Sequence, residues 1–125
     1  MTTHPTKNLE TFENPEKARP YLIAFDCPEF TCLCPLTGQP DFAHLAIRYV
    51  PADVCVELKS LKLYLWSYRD EGAFHEAVTN RICDDLVAAC APRFLEITGD
   101  FKVRGGIGTI VTVRHGTLPP ELASP

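Results

Sequence analysis

Hydrophobic residues change period along this chain, and the changes predict its elements. Tyr21-Leu22-Ile23-Ala24-Phe25 is a short apolar run, which predicts a strand over 21–25. From Phe42 to Val50 the pattern alternates. Ala43, Leu45, Ile47 and Tyr49 fall on one face and His44, Ala46 and Arg48 on the other, as in a half-buried strand that ends at Pro51. Residues 56–68 fit two periods: Leu58, Leu61, Leu65 and Tyr68 suit a helix, whereas Leu61, Leu63 and Leu65 also suit a strand. A helix is favoured because it puts Lys59 and Lys62 on one face. Asp70-Glu71-Gly72 interrupts the pattern.

A second helix is predicted over 73–91, where Phe74, Val78, Ile82, Leu86 and Cys90 recur every four residues before Pro92. Phe74 counts in that buried stripe, so His75 and Glu76 are expected to point away from it. Phe94 to Val103 alternates with Leu95, Ile97 and Phe101 inward, Arg104-Gly105-Gly106 turns the chain, and β-branched residues 107–114 return. The order ββααββ predicts an α+β fold, a four-stranded antiparallel sheet with two helices on one face. Two sheet edges stay open, and an open edge invites another subunit. Residues 1–19 are polar and read as a flexible arm, 20–116 as one domain and 117–125 as a loose tail.

Composition narrows the class. A chain of 125 residues with 46% hydrophobic and 22% charged residues suits one globular domain. No apolar run approaches the roughly 20 residues of a membrane helix, and residues 1–20 lack the apolar core of a secretory signal. A cytoplasmic protein without membrane partners is expected. The formal charge of −4 argues against a nucleic-acid partner. Six cysteines without an export signal do not suggest a disulfide framework. The spacing of Cys27, Cys32 and Cys34 lacks the paired C-x2-C of a zinc ribbon, so no metal is expected. Cys83 and Cys90 read as small core hydrophobes.

Candidate chemistry gathers in four segments. Cys34-Pro35-Leu36-Thr37-Gly38-Gln39-Pro40-Asp41 presents a thiol and a carboxylate from one Pro- and Gly-punctuated loop, which suits a nucleophile with its own proton donor. Such a pair is more often incidental, so it needs support from elsewhere. Glu57-Leu58-Lys59-Ser60-Leu61-Lys62-Leu63-Tyr64 could hold a phosphate-bearing ligand or be an ordinary solvated helix face. Glu76 could accept a bidentate pair of hydrogen bonds from an amino-purine edge, or merely complement the helix dipole, with His75 beside it. Arg104-Gly105-Gly106 makes a hairpin turn and could also meet a phosphate. No G-x-G-x-x-G opens a helix after a strand, so no Rossmann site is visible.

Together these segments strongly resemble the NADPH-dependent 7-cyano-7-deazaguanine reductases, the nitrile reductases of queuosine biosynthesis, in their short single-module form. The match runs through Pro28 to Thr31, Leu33-Cys34-Pro35, Thr37 to Phe42, Glu57 to Tyr64, Phe74-His75-Glu76 and Arg104 to Ile107. The resemblance implies the tunnelling fold, active sites between neighbouring subunits, and two pentameric rings stacked as a decamer. It also implies reduction of a nitrile to an aminomethyl group at the cost of two NADPH. Cys34 corresponds to the nucleophile that forms a covalent thioimide, and Asp41 to the proton donor. Val56, Glu57, Leu58, His75 and Glu76 correspond to substrate-binding positions. Ser60, Lys62, Tyr64, Arg104 and Gly105 correspond to segments expected to meet NADPH. Some relatives carry a protective cysteine just after the His-Glu pair. Here Ala77 and Val78 stand there, and Cys32 is the nearest thiol in sequence to Cys34. Two rival readings are a zinc-dependent cyclohydrolase-like enzyme on the same fold and a non-catalytic purine-binding module.

Overall fold

A computed structural model describes residues 3–123. Six strands and two helices follow in the order β1 (Thr11–Glu13), β2 (Ile23–Leu33), β3 (Pro40–Val50), β4 (Val54–Val56), α1 (Leu58–Trp66), α2 (His75–Cys90), β5 (Phe94–Arg104) and β6 (Ile107–Gly116). The four long strands form an antiparallel sheet in the order β2-β3-β5-β6, leaving β2 and β6 as its edges. The α+β class and the ββααββ order of the long elements hold. A further two-stranded piece, β1 with β4, stands beside the main sheet.

That small sheet revises the flexible-arm reading of residues 1–19. Thr11, Phe12 and Glu13 pair with Val56, Cys55 and Val54. The Asn14 N–H donates to Asp53 O at 3.0 Å, and the Asn14 side chain donates to Ala52 O at 2.8 Å. A three-residue exposed strand leaves no periodic trace, so pattern alone missed it. Met1, Thr2, Ser124 and Pro125 lie outside the described residues.

The strand predicted at 21–25 is far longer. β2 reaches Leu33 by means of a bulge between Cys27 and Phe30. Pro28 has no N–H to give the ladder, and a bulge on an edge strand tolerates it. β3 likewise starts at Pro40, so Asp41 is a strand residue opposite Cys32 rather than part of the loop.

The core lies between the sheet and the helices. Leu45, Ile47 and Tyr49 of β3 and Leu95, Ile97 and Phe101 of β5 are buried as the alternation predicts. α2 lies over β5 and β6 and buries Val78, Ile82, Cys83, Leu86 and Cys90. α2 ends where Ala91 turns left-handed (φ 43°) ahead of Pro92. α1 lies over β2 and buries Leu61 and Tyr64. No helix among the described residues is long and apolar enough to cross a membrane.

Candidate active site

The loop between β2 and β3 is closed by two backbone bonds. Cys34 N–H donates to Gln39 O at 2.8 Å, and Gly38 N–H donates to Cys34 O at 2.8 Å. Gly38 sits at φ +73°, a conformation that costs glycine nothing. The tight turn aims the Thr37 hydroxyl and the N–H groups of Thr37 and Leu36 at the Cys34 sulfur. Those donors, the Thr37 hydroxyl foremost, hold the Cys34 thiol below the ordinary cysteine range, with desolvation and the Asp41 charge opposing them. Lowering a thiol's pKa raises its thiolate fraction near neutral pH.

Two residues earlier the chemistry reverses. Cys32 is fully buried, and burial pushes its thiol up to about 11, with the Asp41 and Cys34 charges adding to it. Cys32 is thus a protonated core side chain. Both thiols are free, as are the other four cysteines.

Three elements converge beside the loop. Asp41 from β3 is 7% exposed. Its Oδ1 lies 3.1 Å from Arg104 Nε at the end of β5, and its Oδ2 lies 3.2 Å from His75 Nε2 at the start of α2. The His75–Asp41 contact is short enough for one proton to be shared between Nε2 and Oδ2. Arg104 also donates from Nη1 to Gln39 Oε1 at 3.0 Å and from Nη2 to Pro40 O. It therefore belongs to the thiol–acid group and ties the β2–β3 loop to the β5–β6 turn. That turn is made by Gly105 (φ +58°) and Gly106 (φ +83°).

The start of α2 corrects one expectation. Phe74 is not in the buried stripe: it is 54% exposed. The helix begins at His75, and Phe74 is the extended N-cap residue (φ −70°, ψ 151°), so the helical period does not reach it. His75, expected to point away, instead turns inward to Asp41. The Glu76 side chain is exposed in the first turn and makes no hydrogen bond or ion pair among the described residues. An unpaired carboxylate flanked by an exposed aromatic ring can grip the polar edge of a planar base while the ring stacks on its face. Sequence pattern placed Phe74 in the core because it fitted the hydrophobic repeat.

α1 turns part of its motif inward. Tyr64 is fully buried, and its hydroxyl bonds Tyr68 Oη at 2.8 Å and Asp85 Oδ2 at 2.6 Å. Ser60 is 3% exposed and joins α1 to the N-terminal segment, accepting from Glu10 N–H at 2.9 Å and donating to Glu57 O at 2.8 Å. Both side chains are thus engaged in hydrogen bonds inside the chain. Lys62 is exposed, with Lys59 and Arg69, along a groove between α1 and β2. These cations and the exposed Trp66 beside them fit a phosphate-bearing dinucleotide.

Val56, Glu57 and Leu58 lie elsewhere. Glu57 caps α1, its carboxylate accepting from Lys59 N–H at 2.7 Å and Ser60 N–H at 2.8 Å, and these bonds hold it below the usual carboxylate range. Val56 is buried and its N–H donates to the Tyr49 hydroxyl at 3.0 Å. Leu58 is 55% exposed. Tyr49 follows Asp41 by eight residues along β3, roughly 26 Å at the rise of an extended strand. Residues 56–58 therefore sit at the opposite end of the sheet from Cys34. Among the described residues, no three His, Cys, Asp or Glu side chains are arranged to hold a metal ion.

Comparison with known proteins bears on this geometry. The family described as QueF-like protein matches residues 40–120, which include Asp41, His75, Glu76 and Arg104. A protein of Anaeromyxobacter dehalogenans (strain 2CP-C), named NADPH-dependent 7-cyano-7-deazaguanine reductase, is 71% identical over 119 residues, 95% of this chain and 98% of that one. A protein of the same name from Nitrosomonas europaea is 68% identical over 115 residues, covering 92% of this chain and 83% of its own. The crystal structure of the archaeosine synthase QueF-Like in the apo form superposes with a TM-score of 0.73 at 21% identity, over 81% of this chain and 99% of that one. At that identity the likeness concerns the fold.

Proposed function

The chain belongs to the QueF-like family, and on that premise we propose that it reduces the nitrile of 7-cyano-7-deazaguanine to an aminomethyl group, a step of queuosine biosynthesis. The balance is one nitrile, two NADPH and two protons giving one primary amine and two NADP⁺. The observation that carries the reading is the contrast at Cys34: a partly exposed thiol held below its ordinary range, beside a buried acid and an imidazole.

A nitrile is a poor hydride acceptor. Addition of the Cys34 thiolate to the nitrile carbon forms a C–S bond and leaves a C=N carbon that accepts hydride more readily. Asp41 protonates the nitrogen in that step, forming a thioimide on Cys34. His75, with Nε2 3.2 Å from Asp41 Oδ2, replaces the proton. NADPH supplies a hydride twice. After the first, the C–S bond breaks, the sulfur leaves as thiolate, and the carbon becomes an imine, which the second hydride and the second proton convert to the primary amine. Glu76 holds the deazaguanine edge, and a base lacking those donors would leave its carboxylate unpaired. Lys62 on α1 would meet a cofactor phosphate, and the Arg104–Gly105 turn would face the cofactor beside Asp41.

Glu57, Val56 and Leu58 fit the substrate role only across a subunit boundary, because they lie at the far end of the sheet. This supports a homo-oligomer whose sites join the Cys34 end of one subunit to the α1 start of the next, in a cytoplasmic assembly of two five-membered rings. The open edges β2 and β6 are where such rings would close. The test is stoichiometric turnover: two NADPH oxidised per aminomethyl product, and an assembly mass near ten subunits. A one-to-one ratio, or no oxidation with this nitrile, would refute the assignment.

A further inference from the structure

We propose that Phe101 is a positioning residue for His75, holding the imidazole in the one plane from which Nε2 meets Asp41. This rests on the role given to His75 above. The two rings are stacked, with centroids 3.9 Å apart and planes 9° from parallel. Phe101 is 1% exposed and has no polar atom, so it acts through His75 and not on substrate. It lies on β5 three residues before Arg104, which holds the other oxygen of Asp41. The end of β5 thus supports both members of the acid–imidazole pair.

Phe101 is closely packed. A Cβ on Gly99 would stand 2.8 Å from Phe101 Cε1, 3.1 Å from Thr79 Oγ1 and 3.4 Å from Leu45 Cδ2. The ring therefore folds back over a glycine that cannot carry a side chain. Thr79 in turn donates to the His75 backbone oxygen at 2.7 Å, fixing the first turn of α2 from the other side. The imidazole is held by a ring on its face, a carboxylate on Nε2 and a hydroxyl on its backbone. A shift of about 1 Å in such a group is enough to cost orders of magnitude in rate.

Phe101→Leu removes the ring face while keeping an apolar core side chain, with Phe101→Met as the alternative should the leucine variant fail to fold. Three readouts are compared with the unaltered oligomer. With 7-cyano-7-deazaguanine and no NADPH, the adduct on Cys34 should form within about twofold of the normal rate. With NADPH, kcat should fall about tenfold or more while KM for NADPH holds. In ¹³C-histidine-labelled protein, assigned with His75→Gln, the His75 ring protons should lose the upfield shift that a stacked phenyl ring imposes. Phe101→Tyr, which keeps the ring face, should restore both kcat and the shift. A folded Phe101→Leu protein with normal kcat and unmoved His75 resonances would overturn the proposal. Absence of the Cys34 adduct in unaltered protein would overturn the functional reading instead, and the His75 shift would still decide whether Phe101 positions the imidazole.

Discussion

The β2–β3 loop and helix α1 carry the two densest motifs in the chain, yet the fold uses them in opposite ways. The loop turns its polar groups toward a thiol at the surface. Thr37 and the backbone N–H groups of Leu36 and Thr37 serve Cys34, and Asp41 lies just behind. The helix turns half of its motif inward. Ser60 and Tyr64 fasten α1 to the N-terminal segment and to α2, and Glu57 caps its own helix. A dense polar motif therefore contains two kinds of position: those left open to solvent and those that fasten the fold. The difference between Cys32 and Cys34 makes the same point within three residues. One thiol is pushed up to about 11 by burial, and its neighbour is lowered by donors.

The largest effect should come at the loop. Cys34→Ala should abolish NADPH oxidation with 7-cyano-7-deazaguanine, a loss of at least about 10³-fold, whereas Cys32→Ala should keep turnover within a few-fold. Equal loss in both variants would erase the contrast between the two thiols. On the helix, Lys62→Ala should raise KM for NADPH about tenfold, the scale of one charge-assisted hydrogen bond, with little change in the rate of Cys34 adduct formation. Tyr64→Phe should do the reverse, leaving KM for NADPH unchanged while lowering unfolding free energy by about 1–2 kcal/mol in chemical denaturation. A raised KM in that variant would return Tyr64 to the cofactor site. The smallest effect should come from Thr37→Val. Loss of the foremost donor to the Cys34 sulfur raises the thiol pKa, so the pH midpoint of iodoacetamide labelling at Cys34 should move upward. At neutral pH labelling should slow a few-fold, and full recovery of the rate is expected as pH rises through the new midpoint.

Much of this arrangement was legible in the chain itself. Strict alternation over β3 and the four-residue repeat of α2 are strong signals because one face of each element is buried. Two kinds of feature were not. The long β2 was hidden by Pro28, which reads as a break but sits in a bulge on an edge strand. β1 was hidden because a strand of three exposed residues has no buried face to mark it. At the site, Cys34, Asp41, His75 and Glu76 were readable as chemical types. Phe74 was misplaced because hydrophobic spacing says nothing about where a helix starts, and motif membership says nothing about Tyr64 facing the core. Phe101 was read as core, and it is, but its stack on His75 depends on how two separate elements, α2 and β5, come together. No local pattern encodes that contact.

The central claim is that Cys34 is the nucleophile that makes the nitrile reducible. An intact-mass spectrum of the protein incubated with 7-cyano-7-deazaguanine and no NADPH, followed by peptide mapping, tests it. One substrate mass added per reactive subunit, on the peptide that carries Cys34 and lost when NADPH is supplied, is the predicted result. An unmodified protein that nevertheless turns over the nitrile, or an adduct on any of the other five cysteines, would contradict it.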